Sequence, residues 1–79
     1  MKLTLLSRSY CSLCTRMLDA LAPLQSEYGF TVDVVDVDDF PELVAQYDEL
    51  VPVLLAADDK QICHWHLDEA AVRAYCRTI

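Results

Sequence analysis

The sequence predicts an α/β fold, a small four-stranded mixed sheet with helices on both faces, formed in the order strand, helix, strand, helix, two strands, helix. Three observations point there. The chain has only 79 residues, yet 54% of them are hydrophobic, enough for one compact core. Its apolar residues switch between strand-like and helix-like spacing along the chain. A Cys-x-x-Cys pair falls where the first strand gives way to the first helix.

Residues 2–7, Lys2-Leu3-Thr4-Leu5-Leu6-Ser7, form an apolar run closed by polar Arg8-Ser9, which fits a short buried strand. The same run begins like a secretion signal but stops at Ser7-Arg8 with no small-residue cleavage site, so a cytoplasmic protein is expected. From the Cys11–Cys14 region onward, Cys14, Met17, Leu18, Leu21, Leu24 and Tyr28 recur at the three-and-four spacing of one helical face, and Gly29 supplies the stop. Pro23 lies inside this pattern. It removes a backbone donor and crowds the carbonyl of Asp19, so a kink or early fraying is expected there.

Thr31 to Val37 is dominated by β-branched residues and reads as a second, mostly buried strand. Asp39 with Glu42 three residues later, and Pro41 between them, has the form of a capping box. A short helix presenting Phe40, Leu43, Val44 and Tyr47 should follow, ending near Tyr47. Val51 to Ala56 reads as a third strand with Pro52 near its start. Asp58-Asp59-Lys60 makes the turn into a fourth strand, Gln61 to Leu67, with Ile62, His64 and His66 on one face and Cys63, Trp65 and Leu67 on the other. A last helix starts near Asp68-Glu69 and packs Ala71, Val72, Tyr75 and Ile79 inward. With no linker or repeat, residues 1–79 are expected to form one domain, ordered β1-α1-β2-α2-β3-β4-α3 and built on a right-handed parallel crossover.

The charge balance narrows the function. Thirteen acidic against six basic residues give a net charge of −7, which repels a phosphate backbone and argues against nucleic-acid binding. No apolar stretch is long enough to span a membrane. A monomer is expected. Four cysteines could form a disulfide framework in a secreted protein, but two of them are Cys11 and Cys14; in a reducing cytoplasm such a pair means redox chemistry or metal.

Thiol–disulfide exchange needs a thiolate, and an ordinary cysteine with pKa ~8.5 is mostly protonated at neutral pH. Cys11, just ahead of the helix, would face unpaired first-turn amides and the positive end of the helix dipole. Arg8 and Arg16 would push the same way. Cys14, one turn on and on the apolar face, should be buried and less acidic. Cys11 is therefore expected to attack a substrate disulfide, and Cys14 to resolve the mixed disulfide that results. Zinc would need two more ligands from Cys63, His64, His66 and Cys76, whose spacing gives no second Cys-x-x-Cys; no metal site is expected. His64 and His66 share a strand face with no role implied, and Trp65 reads as a large core or rim side chain.

These residues resemble the glutaredoxin family, in particular its small bacterial glutaredoxin-like members of the thioredoxin superfamily. The resemblance rests on Cys11-Ser12-Leu13-Cys14 after the first strand, on Arg8 three positions earlier, and on Val51-Pro52 at the third strand. It implies a thioredoxin-like (glutaredoxin-like) fold, thiol–disulfide oxidoreductase activity and a cis Val51–Pro52 bond. It also implies that Pro52 lies against the dithiol and that the Val51 backbone pairs with a bound peptide or glutathione. Arg8 and Tyr10 are further candidates for substrate contact, Tyr10 also for shielding the thiol or simply packing on its loop. No bound cofactor is expected. The partner is a disulfide-containing protein or a small thiol, with glutathione a candidate co-substrate. The sequence departs from the family at Ser12-Leu13, where glutaredoxins carry Pro-Tyr, and at Trp65-His66, where glutathione-using members carry two glycines. Two other readings stay open: a non-catalytic redox-sensing or peptide-binding module, and a metal or iron–sulfur module.

Overall fold

The computed structural model describes residues 1–9 and 11–78. The expectations placed on Tyr10 and Ile79 lie outside these residues. In chain order the elements are β1 (Lys2–Ser7), α1 (Ser12–Tyr28), β2 (Thr31–Asp36), a 3-10 turn over Val37–Asp39, α2 (Pro41–Tyr47), β3 (Val53–Leu55), β4 (Gln61–His64) and α3 (Glu69–Arg77). The sheet order is β2-β1-β3-β4, with β1 parallel to β2 and antiparallel to β3, and β3 antiparallel to β4. This is the thioredoxin-like topology expected from the sequence.

The pleat divides the core. Leu3 and Leu5 of β1, Leu54 of β3 and Cys63 of β4 face Met17, Leu21 and Leu24 of α1 and Val72 of α3. Leu6, Val53 and Leu55 point the other way, toward Val37 and the half-buried Leu43, Val44 and Tyr47 of α2. One side of the sheet thus carries two helices and the other a single short one, because period-two alternation in the central strands gives each face an apolar row.

Both long helices start on a side-chain cap. The Cys11 sulfur accepts the Cys14 amide at 3.1 Å, and an Asp68 carboxylate oxygen accepts the Ala71 amide at 3.0 Å. α1 runs unbroken through Pro23 to Tyr28. Pro23 and Asp19 both lie on its exposed side, where the missing donor and the displaced carbonyl meet water rather than core. Gly29 then takes φ 74°, its amide donating to the Gln25 carbonyl at 2.8 Å, a left-handed stop that suits glycine.

Several expectations are corrected. β2 is not mostly buried: it is an edge strand paired only with β1, and Val34 is 49% exposed. Val37 leaves the strand for the 3-10 turn and is the residue there that is fully buried. The capping box does not form, since the residue ahead of α2 is Phe40, which offers no side-chain acceptor and is itself exposed. Asp36 instead caps the preceding turn through the Asp38 amide at 2.9 Å. β3 begins after Pro52 rather than at Val51, and β4 ends at His64 rather than Leu67.

Candidate active site

The first link between sequence and site is the short loop from β1 to α1. The Cys11 amide donates to the Arg8 carbonyl at 3.2 Å. Cys11 has an extended backbone, φ −98° and ψ 103°, as the N-cap of α1. Its sulfur therefore points at the open first-turn amides, and receives one of them from Cys14. Cys11 is partly exposed and Cys14 buried, the asymmetry expected of an attacking and a resolving thiol. The two are joined in a disulfide, with Cα atoms 5.2 Å apart.

A cleft of about 160 Å³ opens beside the pair. Leu5, Leu18 and Val34 form its apolar walls, while Ser7, Arg8, Thr15 and the two cysteines complete the lining. Leu18, expected on the packed face of α1, is instead 38% exposed at this cleft, where Val34 of β2 joins it. Leu18 follows Cys11 by seven residues, two helical turns, so it shares the face of α1 on which the sulfur lies.

Arg8 lines this cleft, but its charge is already engaged. Its guanidinium pairs with Asp38 at 3.0 Å and with Asp48 at 2.6 Å, and reaches the Asp48 carbonyl at 3.4 Å. Partial desolvation favours the neutral form of Arg8, but hydrogen bonds and charge from Asp48 and Asp38 outweigh it, and the net effect raises its pKa. Arg8 thus ties the dithiol loop to the segment that precedes β3.

That segment, residues 48–52, leads from α2 into β3. The Val51–Pro52 bond is cis. Because Leu6 pairs with Val53 in the antiparallel register, Pro52 comes next to Ser7, at the entrance to the dithiol loop; it is fully buried, while Val51 is half-buried. The Pro52 carbonyl accepts the Trp65 amide at 2.8 Å, and the Glu49 carbonyl accepts the Trp65 indole N–H, also at 2.8 Å.

These two bonds explain why β4 stops early. Trp65 takes φ 63°, a left-handed conformation that costs a non-glycine residue about 1–3 kcal/mol. The chain turns there, the His66 amide donating back to the His64 carbonyl at 2.7 Å. The indole lies at the rim, 48% exposed, with the His64 ring edge-on at 4.9 Å. His64 is also held by Gln61, through Nε2 and Nδ1 at 2.8 Å. The alternating pattern from Gln61 to Leu67 concealed this turn. The signal was a pair of bulky residues at the position where the resembling family carries glycines.

Cys63 and Cys76 are free thiols, the first buried in the core beneath α3 and the second partly buried on α3. Burial pushes both thiol pKa values up; at Cys63 a backbone hydrogen bond from Asp68 works against this more than the Asp68 charge adds to it, and at Cys76 the Glu27 charge adds to the effect. Among the described residues, no group of three His, Cys, Asp or Glu side chains is arranged to hold a metal ion. No helix among them is long and apolar enough to cross a membrane.

Comparison with known proteins agrees with this arrangement. Residues 2–77 match the family model described as a glutaredoxin-like domain. An uncharacterized protein of Mycobacterium tuberculosis is 37% identical over 75 residues, covering 89% of this chain and 76% of the relative. Among solved structures, a Nitrosomonas europaea protein determined in solution by NMR is 36% identical, with a TM-score of 0.86 over 94% of this chain and 88% of that one. The X-ray structure of a protein from X. campestris is 32% identical, with a TM-score of 0.74 over 98% and 97% of the two chains.

Proposed function

Because the chain belongs to the glutaredoxin-like domain family, with its cysteines arranged as in a thiol–disulfide oxidoreductase active site, we propose that Cys11 attacks disulfide substrates and Cys14 resolves the product. The observation that carries this is the N-cap position of Cys11, whose sulfur accepts the Cys14 amide while Cys14 is buried beneath it. A donor that already faces the sulfur stabilises the thiolate once the bond is reduced.

The reaction runs in two exchanges. The Cys11 thiolate attacks one sulfur of a substrate disulfide; the substrate S–S bond breaks, a Cys11–substrate mixed disulfide forms, and the other sulfur leaves as a thiolate. The Cys14 thiolate then attacks the Cys11 sulfur and expels the second substrate sulfur. Two electrons pass to the substrate, whose thiolates take up two protons from water. The protein is left in the Cys11–Cys14 disulfide form, which an external thiol or dithiol must reduce before the next turn.

Val51 and Pro52 border the substrate in this reading, the Val51 backbone pairing with an extended segment beside the dithiol. Arg8 acts as a wall of the cleft whose charge Asp38 and Asp48 balance. That balance, the net charge of −7 and the fixed Trp65 ring favour a protein disulfide over the anionic tripeptide glutathione. The two remaining free thiols suit a reducing compartment, and we propose the cytoplasm.

The test offers the fully reduced protein a disulfide-bonded protein and, separately, oxidised glutathione, following the Cys11–Cys14 disulfide by intact mass. The proposal expects conversion of the dithiol to the disulfide with release of substrate thiols, faster with the protein substrate. Reduction of neither compound would overturn it.

A further inference from the structure

Beyond the dithiol, the segment that Arg8 ties to the dithiol loop carries a second arrangement. Glu49, whose carbonyl holds the Trp65 indole, also lines a cleft of about 350 Å³ together with Ala45, Gln46, Asp48 and Leu50. None of the six Lys and Arg side chains lines this cleft. The Glu49 side chain has no ion pair among the described residues, and Asp48 shares its carboxylate with Arg8. The Trp65 indole, which meets Glu49 at its backbone carbonyl, is fixed at both its backbone amide and its ring nitrogen, yet half its surface is open. A rigid, exposed aromatic ring held against the backbone of Glu49, whose own carboxylate has no ion pair among the described residues, brings a π face and a negative charge into one neighbourhood, the chemistry that attracts a guanidinium or ammonium group.

The position relative to the dithiol follows from one residue. Asp48 lines the acidic cleft and pairs with Arg8, and Arg8 lines the cleft that holds Cys11 and Cys14. A peptide lying along residues 48–52 with its cysteine at Cys11 would pass Trp65 and Glu49.

We propose that Trp65 and the acidic cleft at Asp48–Glu49 form a recognition site for a basic side chain, lysine or arginine, a few residues from the attacked cysteine of a protein disulfide. This deepens, and rests on, the reading of Cys11–Cys14 as an exchange centre. The cation sits over the indole and is shared with the Glu49 carboxylate. A substrate with an acidic residue in the same place is repelled.

The experiment uses the full chain carrying Cys14→Ser and three peptides that differ at one position near a pyridyl-disulfide cysteine: Arg, Gln or Glu. Formation of the Cys11–peptide disulfide, with pyridinethione as the leaving group, is timed by intact mass. The Arg peptide should react about fivefold or more faster than the Glu peptide at low salt, with Gln between them. Trp65→Ala and Glu49→Gln should each bring that ratio toward one, and Trp65→Phe should retain much of it. A ratio that starts near one, or that survives both Trp65→Ala and Glu49→Gln, would overturn the proposal.

A second arm needs no chemistry at Cys11. The chain has one tryptophan, so its fluorescence reports this site directly. Titration with the same peptides bearing serine in place of the cysteine should shift the emission with Arg and not with Glu; equal responses count against the site. Peptides that bind with this preference but form no adduct would leave the recognition site standing and refute the exchange reading alone.

Discussion

At Cys11 the backbone sets the chemistry. The residue stands immediately before the helix, so its sulfur accepts the Cys14 amide. Once reduced, Cys11 should be held as a reactive thiolate by that amide. Cys63 and Cys76 should instead stay protonated, since burial raises both thiol pKa values. Alkylation followed by peptide mapping checks this: at pH 7 the label should enter Cys11 first, and Cys63 and Cys76 should accept it only as pH climbs past the usual thiol range. Labelling of all three in parallel would contradict the assignment. The place of Cys11 was legible in the sequence because it needs only a strand, a short polar loop and the start of an apolar helical stripe. The partners of Arg8 were not legible, because Asp38 and Asp48 lie 30 and 40 residues away and reach it only through the folded sheet. The conformation of Trp65 was hidden for a related reason: it is imposed by acceptors on residues 49 and 52, which local spacing does not reveal.

Among the elements, α1 and α3 are joined by one side chain. Arg73 of α3 bonds to Glu69 on its own helix, and also to Glu27 and Tyr28 at the end of α1. Hydrogen bonds from Arg73, and then Tyr28, hold the Glu27 pKa below the ordinary carboxylate value. A depressed folded-state pKa means that this contribution is present above the unfolded value and fades as pH falls through the folded one. Melting curves from pH 7 down to pH 3 should therefore show a smaller acid-induced loss in Glu27→Gln than in the parent; identical pH dependence would exclude the linkage. The stop of α1 can be tested separately. A Cβ added at Gly29 would meet nothing within 4 Å, so Gly29→Ala should lose about 1 kcal/mol in urea unfolding through its φ of 74° alone. Gly29 and the Asp68 cap were readable because they are local signals. The capping box at Asp39 and Glu42 failed because the 3-10 turn at residues 37–39 moved the start of α2 onwards, leaving Phe40 at the cap.

For the whole molecule, the two rows of apolar side chains in β1 and β3 decide how the site is held. Leu54 is fully buried in the larger core cluster, which also holds Leu5, Met17 and Cys63. Leu54→Ala should cost about 2–5 kcal/mol in denaturant unfolding, a large fraction of the total stability of so small a chain; a loss under 1 kcal/mol would contradict the packing described. The order of elements and both helix-bearing faces were readable from periodicity, whereas the exposure of β2 was not, because a run of valines looks the same in an edge strand as in a central one. What this scaffold supports is an asymmetric pair of thiols, one at a helix cap and one beneath it. The most direct test compares Cys11→Ser with Cys14→Ser, each reduced and then mixed with a disulfide-bonded substrate under intact-mass detection. The account predicts one stable adduct on Cys11 in Cys14→Ser and none in Cys11→Ser; equal adduct formation in both variants, or an adduct mapped to Cys63 or Cys76, would contradict it.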